Sequence, residues 1–123
     1  MLKCPFATWL LDRCNQVALL EKEAAAALHT DDNPEQYRRI MRQKALLLES
    51  LYIDTEPLLA PLPGEQARMA ADRLRRFSAS AARSLELESV FYMSALLFPE
   101  NHSEGEPNDL EAFLAEVRQW PES

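Results

Sequence analysis

Apolar residues recur along this chain at helical spacing, and the breaks between the recurring stretches are few. Pro5 suits the first position of a helix, where its missing N–H costs nothing. Phe6, Leu10, Val17, Leu20, Ala24 and Leu28 follow in steps of three, four and seven, which trace one face. Arg13 is the one misfit inside that stripe. The spacing predicts a first helix over 5–29, with His29 in its last turn, where a cation suits the helix dipole. Asn33 and Pro34 then mark a helix start, with Gln36 at the third position close to a capping box. The second helix is predicted over 34–55. It carries Tyr37, Met41, Leu48 and Tyr52 on one face, with Ile40, Leu47 and Leu51 beside them. Pro57, Pro61 and Pro63 predict an extended, stiff connection whose leucines lie against the core.

A third and longest helix is predicted over 65–97. Ala67, Ala70, Leu74, Phe77, Ala81, Leu85, Tyr92 and Ala95 hold one period throughout it. After a polar break with Pro99, Gly105 and Pro107, Asn108 and Glu111 form a capping box. A short amphipathic helix over 109–120 follows, with Leu110, Phe113, Leu114, Val117 and Trp120 on one side. No strand signal competes. The fold class is therefore all-α: an antiparallel, left-handed bundle of three long helices with shallow crossing angles, plus a short C-terminal fourth helix. Residues 1–98 form the three-helix core. Residues 99–123 form an acidic hinge and the short helix, packed on the core.

The segment Leu87–Phe98, reading LESVFYMSALLF, stands out because it is apolar all round. Tyr92, Ala95 and Leu96 continue the core face. Leu87, Phe91 and Phe98 project to one side, and Val90, Met93 and Leu97 to roughly the opposite one. Such a helix is either buried on every side or a binding surface. The expected partner-binding residues are thus Leu87, Val90, Phe91, Met93, Leu97 and Phe98. The final helix, through Leu110, Phe113, Leu114, Val117 and Trp120, is expected to cover them and to give way to an amphipathic partner helix.

Composition narrows the function classes. Of 123 residues only 2 are glycine, which excludes a dinucleotide fingerprint or a phosphate loop. The formal net charge is −7. It is unevenly placed: residues 1–85 hold 12 Lys/Arg and 11 Asp/Glu, whereas residues 86–123 hold 1 Arg and 9 Asp/Glu. The acidic tail is expected to be drawn to the arginine-bearing helices at low salt. No apolar run approaches the ~18–20 residues needed to span a bilayer, and no signal peptide is evident. A cytoplasmic protein is expected, without a membrane partner. Cys4 and Cys14 lie ten positions apart. On a helix that is about 280° of rotation, so two free, buried thiols are expected rather than a bridge.

Candidate chemistry is sparse. His29 and His102 lack a Glu or Asp three residues before them, so the bundle di-metal pattern is missing. Asp31 and Asp32 read as a solvated loop. Arg38, Arg39, Arg42 and Lys44 point several ways around their helix, as a solvated face does. No metal or cofactor is expected, nor nucleic acid. The expected role is non-catalytic: binding another protein, or self-association. The alternatives are a homodimeric structural protein, a small enzyme using Cys14 or the carboxylates, and a nucleic-acid-associated factor using the arginine-rich faces.

The organisation resembles that of flagellar type III export chaperones. The likeness rests on Ala27-Leu28 before the Asp31-Asp32-Asn33 turn and on the stretch Gln43–Leu51. The long Met69–Leu97 segment and the Leu110–Trp120 helix also match. It spans most of the chain through pattern rather than an invariant motif, and the Pro57–Pro63 connection departs from it. The resemblance implies a cytoplasmic chaperone that binds the C-terminal helical segment of an export substrate. It also implies a last helix that covers the binding surface, as in some members.

Overall fold

The computed structural model describes residues 4–121. These are all-helical: α1 (Cys4–His29), α2 (Pro34–Glu49), α3 (Leu51–Leu59), α4 (Gly64–Glu86), α5 (Val90–Ala95) and α6 (Asp109–Arg118), with no strand among the described residues. α1 packs on α2, α2 on α4 and α3 on α4. α5 lies against α2 and α4, and α6 lies against α1.

In α1 the buried positions are Phe6, Leu10, Cys14, Val17, Ala24 and Ala27. Cys14 takes the turn in which Arg13 was the misfit. Arg13 sits at the edge of the stripe, its guanidinium 5.0 Å from the Trp9 ring centre and 2.7 Å from Asp12. The stripe ends on Ala27; Leu28 is exposed. The α1–α2 turn follows the sequence. Asn33 Oδ1 accepts the Gln36 N–H at 3.1 Å, with Pro34 in the first turn.

The second predicted helix runs differently. It breaks at Ser50, whose Oγ donates to the Leu47 carbonyl at 2.8 Å, and resumes as α3 through Pro57 as far as Leu59. Pro57 therefore lies inside a helix, not at the start of an extended connection. Leu58 and Leu59 pack on the main core and Leu62 is buried in it. That burial offsets the hydrogen bond that Pro57 cannot donate.

The third predicted helix, 65–97, is also divided. α4 ends at Glu86 in a Schellman motif: the Ser89 N–H donates to the Ser84 carbonyl at 3.1 Å and the Glu88 N–H to the Leu85 carbonyl at 3.1 Å. Glu88 adopts φ 52°, a left-handed conformation that usually falls to glycine. Ser89 then caps α5, its Oγ accepting the Tyr92 N–H at 3.1 Å. A second left-handed residue, Leu97 at φ 75°, ends the segment. The chain between 86 and 98 is thus an elbow, not the last turns of a 50 Å rod. Glu88 is exposed, so Glu88→Gly should remove the left-handed penalty without touching the core. A gain of ~0.5–1 kcal/mol in urea unfolding is expected once the greater freedom of unfolded glycine is set against it. No gain, or a loss, would contradict the strain assigned to this residue.

The core has two parts. The larger gathers Phe6, Leu10, Cys14, Val17, Leu48, Leu51, Leu74 and Ala81 with Leu110, Phe113, Leu114 and Val117 of α6. The smaller joins Ala24, Ala27, Ile40, Met41 and Ala45 to Met93 of α5. α6 begins with the expected capping box, in which Asn108 and Glu111 exchange two 2.9 Å hydrogen bonds.

Candidate interaction surface

The elbow sets the geometry of the surface that the sequence singles out. Because the chain turns at Glu88, the helical register of α4 does not carry into α5. The expected binding set is therefore divided. Leu87 (52% exposed) and Phe91 (74% exposed) point outward. Val90 and Phe98 are half-buried, and Met93 and Leu97 are buried in the smaller and larger cores. Met93 and Leu97 are thus core residues, not surface residues. Tyr92, which the continuous period places inside, is 53% exposed, with its ring centre 5.7 Å from that of Phe91. Ala95 is exposed as well.

α4 and the elbow together enclose an open groove of about 390 Å³. Ser80, Arg83 and Ser84 line it from α4, and Leu87, Tyr92, Leu96 and Phe98 from the elbow. Apolar side chains form most of the elbow's wall, with Arg83 and Asp109 supplying charge. Phe91 packs on Tyr92 outside this lining. Aromatic side chains in this setting bury large area at little entropic cost on binding a partner.

Of the residues the last helix is expected to cover, Leu97 is buried in the same core as the α6 side chains, whereas Leu87 and Phe91 are exposed. Leu110, Phe113, Leu114 and Val117 are buried, and Trp120 is half-buried, but they face α1 and α4. Phe113 lies 6.2 Å from Phe6 and 6.3 Å from Phe77, centre to centre, and Trp120 lies 6.5 Å from Phe6. α6 meets the elbow where the Asp109 N–H donates to the Leu97 carbonyl at 3.0 Å and where Leu97 joins the larger core beside Leu110, Phe113 and Leu114. Leu87, Phe91 and Tyr92 remain uncovered by it. The hinge is also well bonded internally: His102 Nε2 lies 2.9 Å from the Glu106 carbonyl, and the Ser103 N–H donates to Glu106 Oε1 at 2.7 Å. Arg73 reaches Glu116 at 2.9 Å, and such a partly exposed pair is worth about 0–1 kcal/mol.

The group that sequence reasoning misplaced is Lys44. It does not belong to a solvated basic face; it is 0% exposed. Its ammonium lies 3.2 Å from Glu21 Oε1, donates to the Ser94 carbonyl at 3.1 Å, and sits 4.9 Å from the Phe98 ring centre. Burial pulls its pKa below the usual lysine range, opposed by the Glu21 carboxylate. The signal was present: Lys44 falls three residues after Met41 and four before Leu48, on the buried stripe of α2. The other basic residues of this region, Arg38, Arg39 and Arg42, are exposed.

Cys14 is free and buried, and burial followed by the charge of Glu111 pushes its thiol up to about 11. A thiol so placed carries almost no thiolate at neutral pH, which is the opposite of what a nucleophile needs. The reading of Cys4 lies outside the described side chains. Among the described residues no group of three or more His, Cys, Asp or Glu side chains is placed to hold a metal ion. No helix among them is long and apolar enough to cross a membrane.

Comparison with family models, with curated proteins and with solved structures finds no match to this chain.

Proposed function

We propose that this protein is a non-catalytic interaction module, an antiparallel bundle whose elbow binds an amphipathic helix of another protein. The observation that carries the reading is the exposure of Phe91, at 74%, packed on Tyr92 of an apolar groove that Leu87 also lines. Three large apolar side chains exposed to water on one short segment are costly unless something covers them. Helix-in-groove recognition fits the dimensions: one or two apolar anchors of the partner enter the groove, and Phe91 packs along its flank. Arg83 and Asp109 line the groove, and the exposed Glu86, Glu88 and Glu100 directly adjoin its lining residues Leu87 and Pro99 in the chain. The matching partner helix carries its apolar stripe between basic residues. Under the resemblance to flagellar export chaperones, the module is a cytoplasmic chaperone or adaptor and the helix belongs to an export substrate. A homodimer through the same face is the second reading, favoured by the same exposed aromatics.

A photo-reactive residue at position 87, introduced in the source cell, separates these readings. A discrete adduct with another protein, mapped to an amphipathic helical segment, supports the module. An adduct only with a second copy of this chain replaces it with the homodimer. The absence of any adduct discards the elbow as a working surface.

A further inference from the structure

We infer that Lys44 is a positioning residue for the groove: it grips the elbow from the core side and fixes the wall that α5 and Phe98 present. Three observations converge on it. First, the elbow is bounded by two left-handed non-glycine residues, Glu88 and Leu97, so its backbone does not hold this shape by local preference. Second, α5 has only 6 residues, too few to be stable by its own hydrogen bonds. Third, the fully buried Lys44 ammonium is bonded to the Ser94 carbonyl near the end of α5 and lies under the Phe98 ring. A cation at a helix C-terminus interacts favourably with the negative end of its dipole, and a desolvated cation–π contact adds to this. Glu21 of α1 holds the ammonium from the other side. Lys44 lies on α2 and is not part of the groove lining, whereas Phe98 is. One buried charge thus ties α1, α2 and the groove wall together. The inference concerns the groove of the proposed module, but its main test needs no partner.

Amide hydrogen exchange of Met93–Leu96 reads the grip directly. In Lys44→Met these amides should exchange about 10- to 100-fold faster, the range that follows from losing one hydrogen bond to a charged donor. Leu10→Ala serves as the comparison, a cavity at a buried position of α1 about three turns before Glu21. At matched global stability it should leave the elbow amides slow relative to those of α4. The Glu21→Leu/Lys44→Met double variant removes both charges and should recover global stability, because no unpaired charge is left buried. The elbow amides should nonetheless stay fast. The inference is overturned if Lys44→Met speeds all helices equally, or if the double variant restores protection to Met93–Leu96. Cross-linking from position 87 gives a second readout, expected to fall in Lys44→Met and to persist in Leu10→Ala. Should the wild-type chain give no adduct at all, the module reading fails while the exchange result still decides the role of Lys44.

Discussion

A chain lacking residues 106–123 is expected to lose its cooperative unfolding transition. Deletion removes Leu110, Phe113, Leu114 and Val117, all buried in the larger core. At ~1.5–3 kcal/mol for each fully buried side chain, the four together contribute about 6–12 kcal/mol. A domain of this size has a total stability of about 5–15 kcal/mol. The deletion also bares Phe6, which stacks on Trp120, and Phe77, which packs on Phe113. Urea titration followed by circular dichroism should show a shallow, non-cooperative loss of helix. Raising the salt concentration in the intact chain should change little by comparison, because the partly exposed Arg73–Glu116 pair between α4 and α6 is worth only about 0–1 kcal/mol. If the shortened chain kept a sharp transition at most of the original stability, α6 would be the detachable cover that the amphipathic pattern suggests. The distinction bears on function. A fixed α6 leaves the elbow permanently open to a partner, so no opening step precedes binding.

Several features of the fold were legible because local chemistry marks them. Asn33 with Pro34, and Asn108 with Glu111, are caps that satisfy orphan N–H groups wherever the chain goes next. Both form as the residues predict. The stripe of α6 was equally plain, but a stripe says only that a face is buried, not against what. Its placement on α1 and α4 depends on long-range packing of Phe6 and Phe77, which spacing does not encode. The two breaks at Ser50 and Glu88 were invisible for a different reason. Neither carries a glycine or proline, and the helical period reads straight through them. At Glu88 the stretch LESVFYMSALLF is apolar at every angle, so any register satisfies it. The Schellman turn there rests on Ser84 and Ser89 and not on the glycine that would announce it. The candidate site was therefore half legible. Leu87 and Phe91 are exposed as read, whereas Met93 and Leu97 are core and Tyr92 replaces them on the surface. Lys44 shows the same limit in another form. A lysine on a buried stripe looks like an edge residue until Glu21, Ser94 and Phe98 converge on it.

The elbow has a consequence for how the surface should respond to mutation. Had the third helix continued to Leu97, Tyr92 would be buried and any change nearby would be a change to the core. As built, Phe91 and Leu87 hang on a short segment whose inward side, Met93 and Leu97, does the anchoring. The exposed side chains and the anchoring ones are carried by the same short segment, Leu87–Leu97. Substitutions on the outward side should then alter binding and leave folding alone.

Phe91→Glu is accordingly expected to leave the unfolding free energy within about 0.5 kcal/mol of the original, as for other exposed positions. It should abolish partner capture. An aromatic anchor at the centre of an interface is worth at least ~2 kcal/mol and up to ~4 kcal/mol or more, a weakening of about 30- to 1,000-fold. The comparison is Met69→Glu, which changes an exposed apolar residue of α4 outside the elbow and should bind as before. Adduct yield from position 87 measures the loss in the cell, and calorimetry against the captured helix measures it in solution. The sign of the introduced charge adds information. With the exposed Glu86, Glu88 and Glu100 next in the chain to groove-lining residues, a partner bearing basic flanks is repelled more by Phe91→Lys than by Phe91→Glu. A partner that tolerated lysine better than glutamate would be acidic, and the charge assignment would be reversed. A partner indifferent to Phe91 altogether would place the binding surface elsewhere on the bundle.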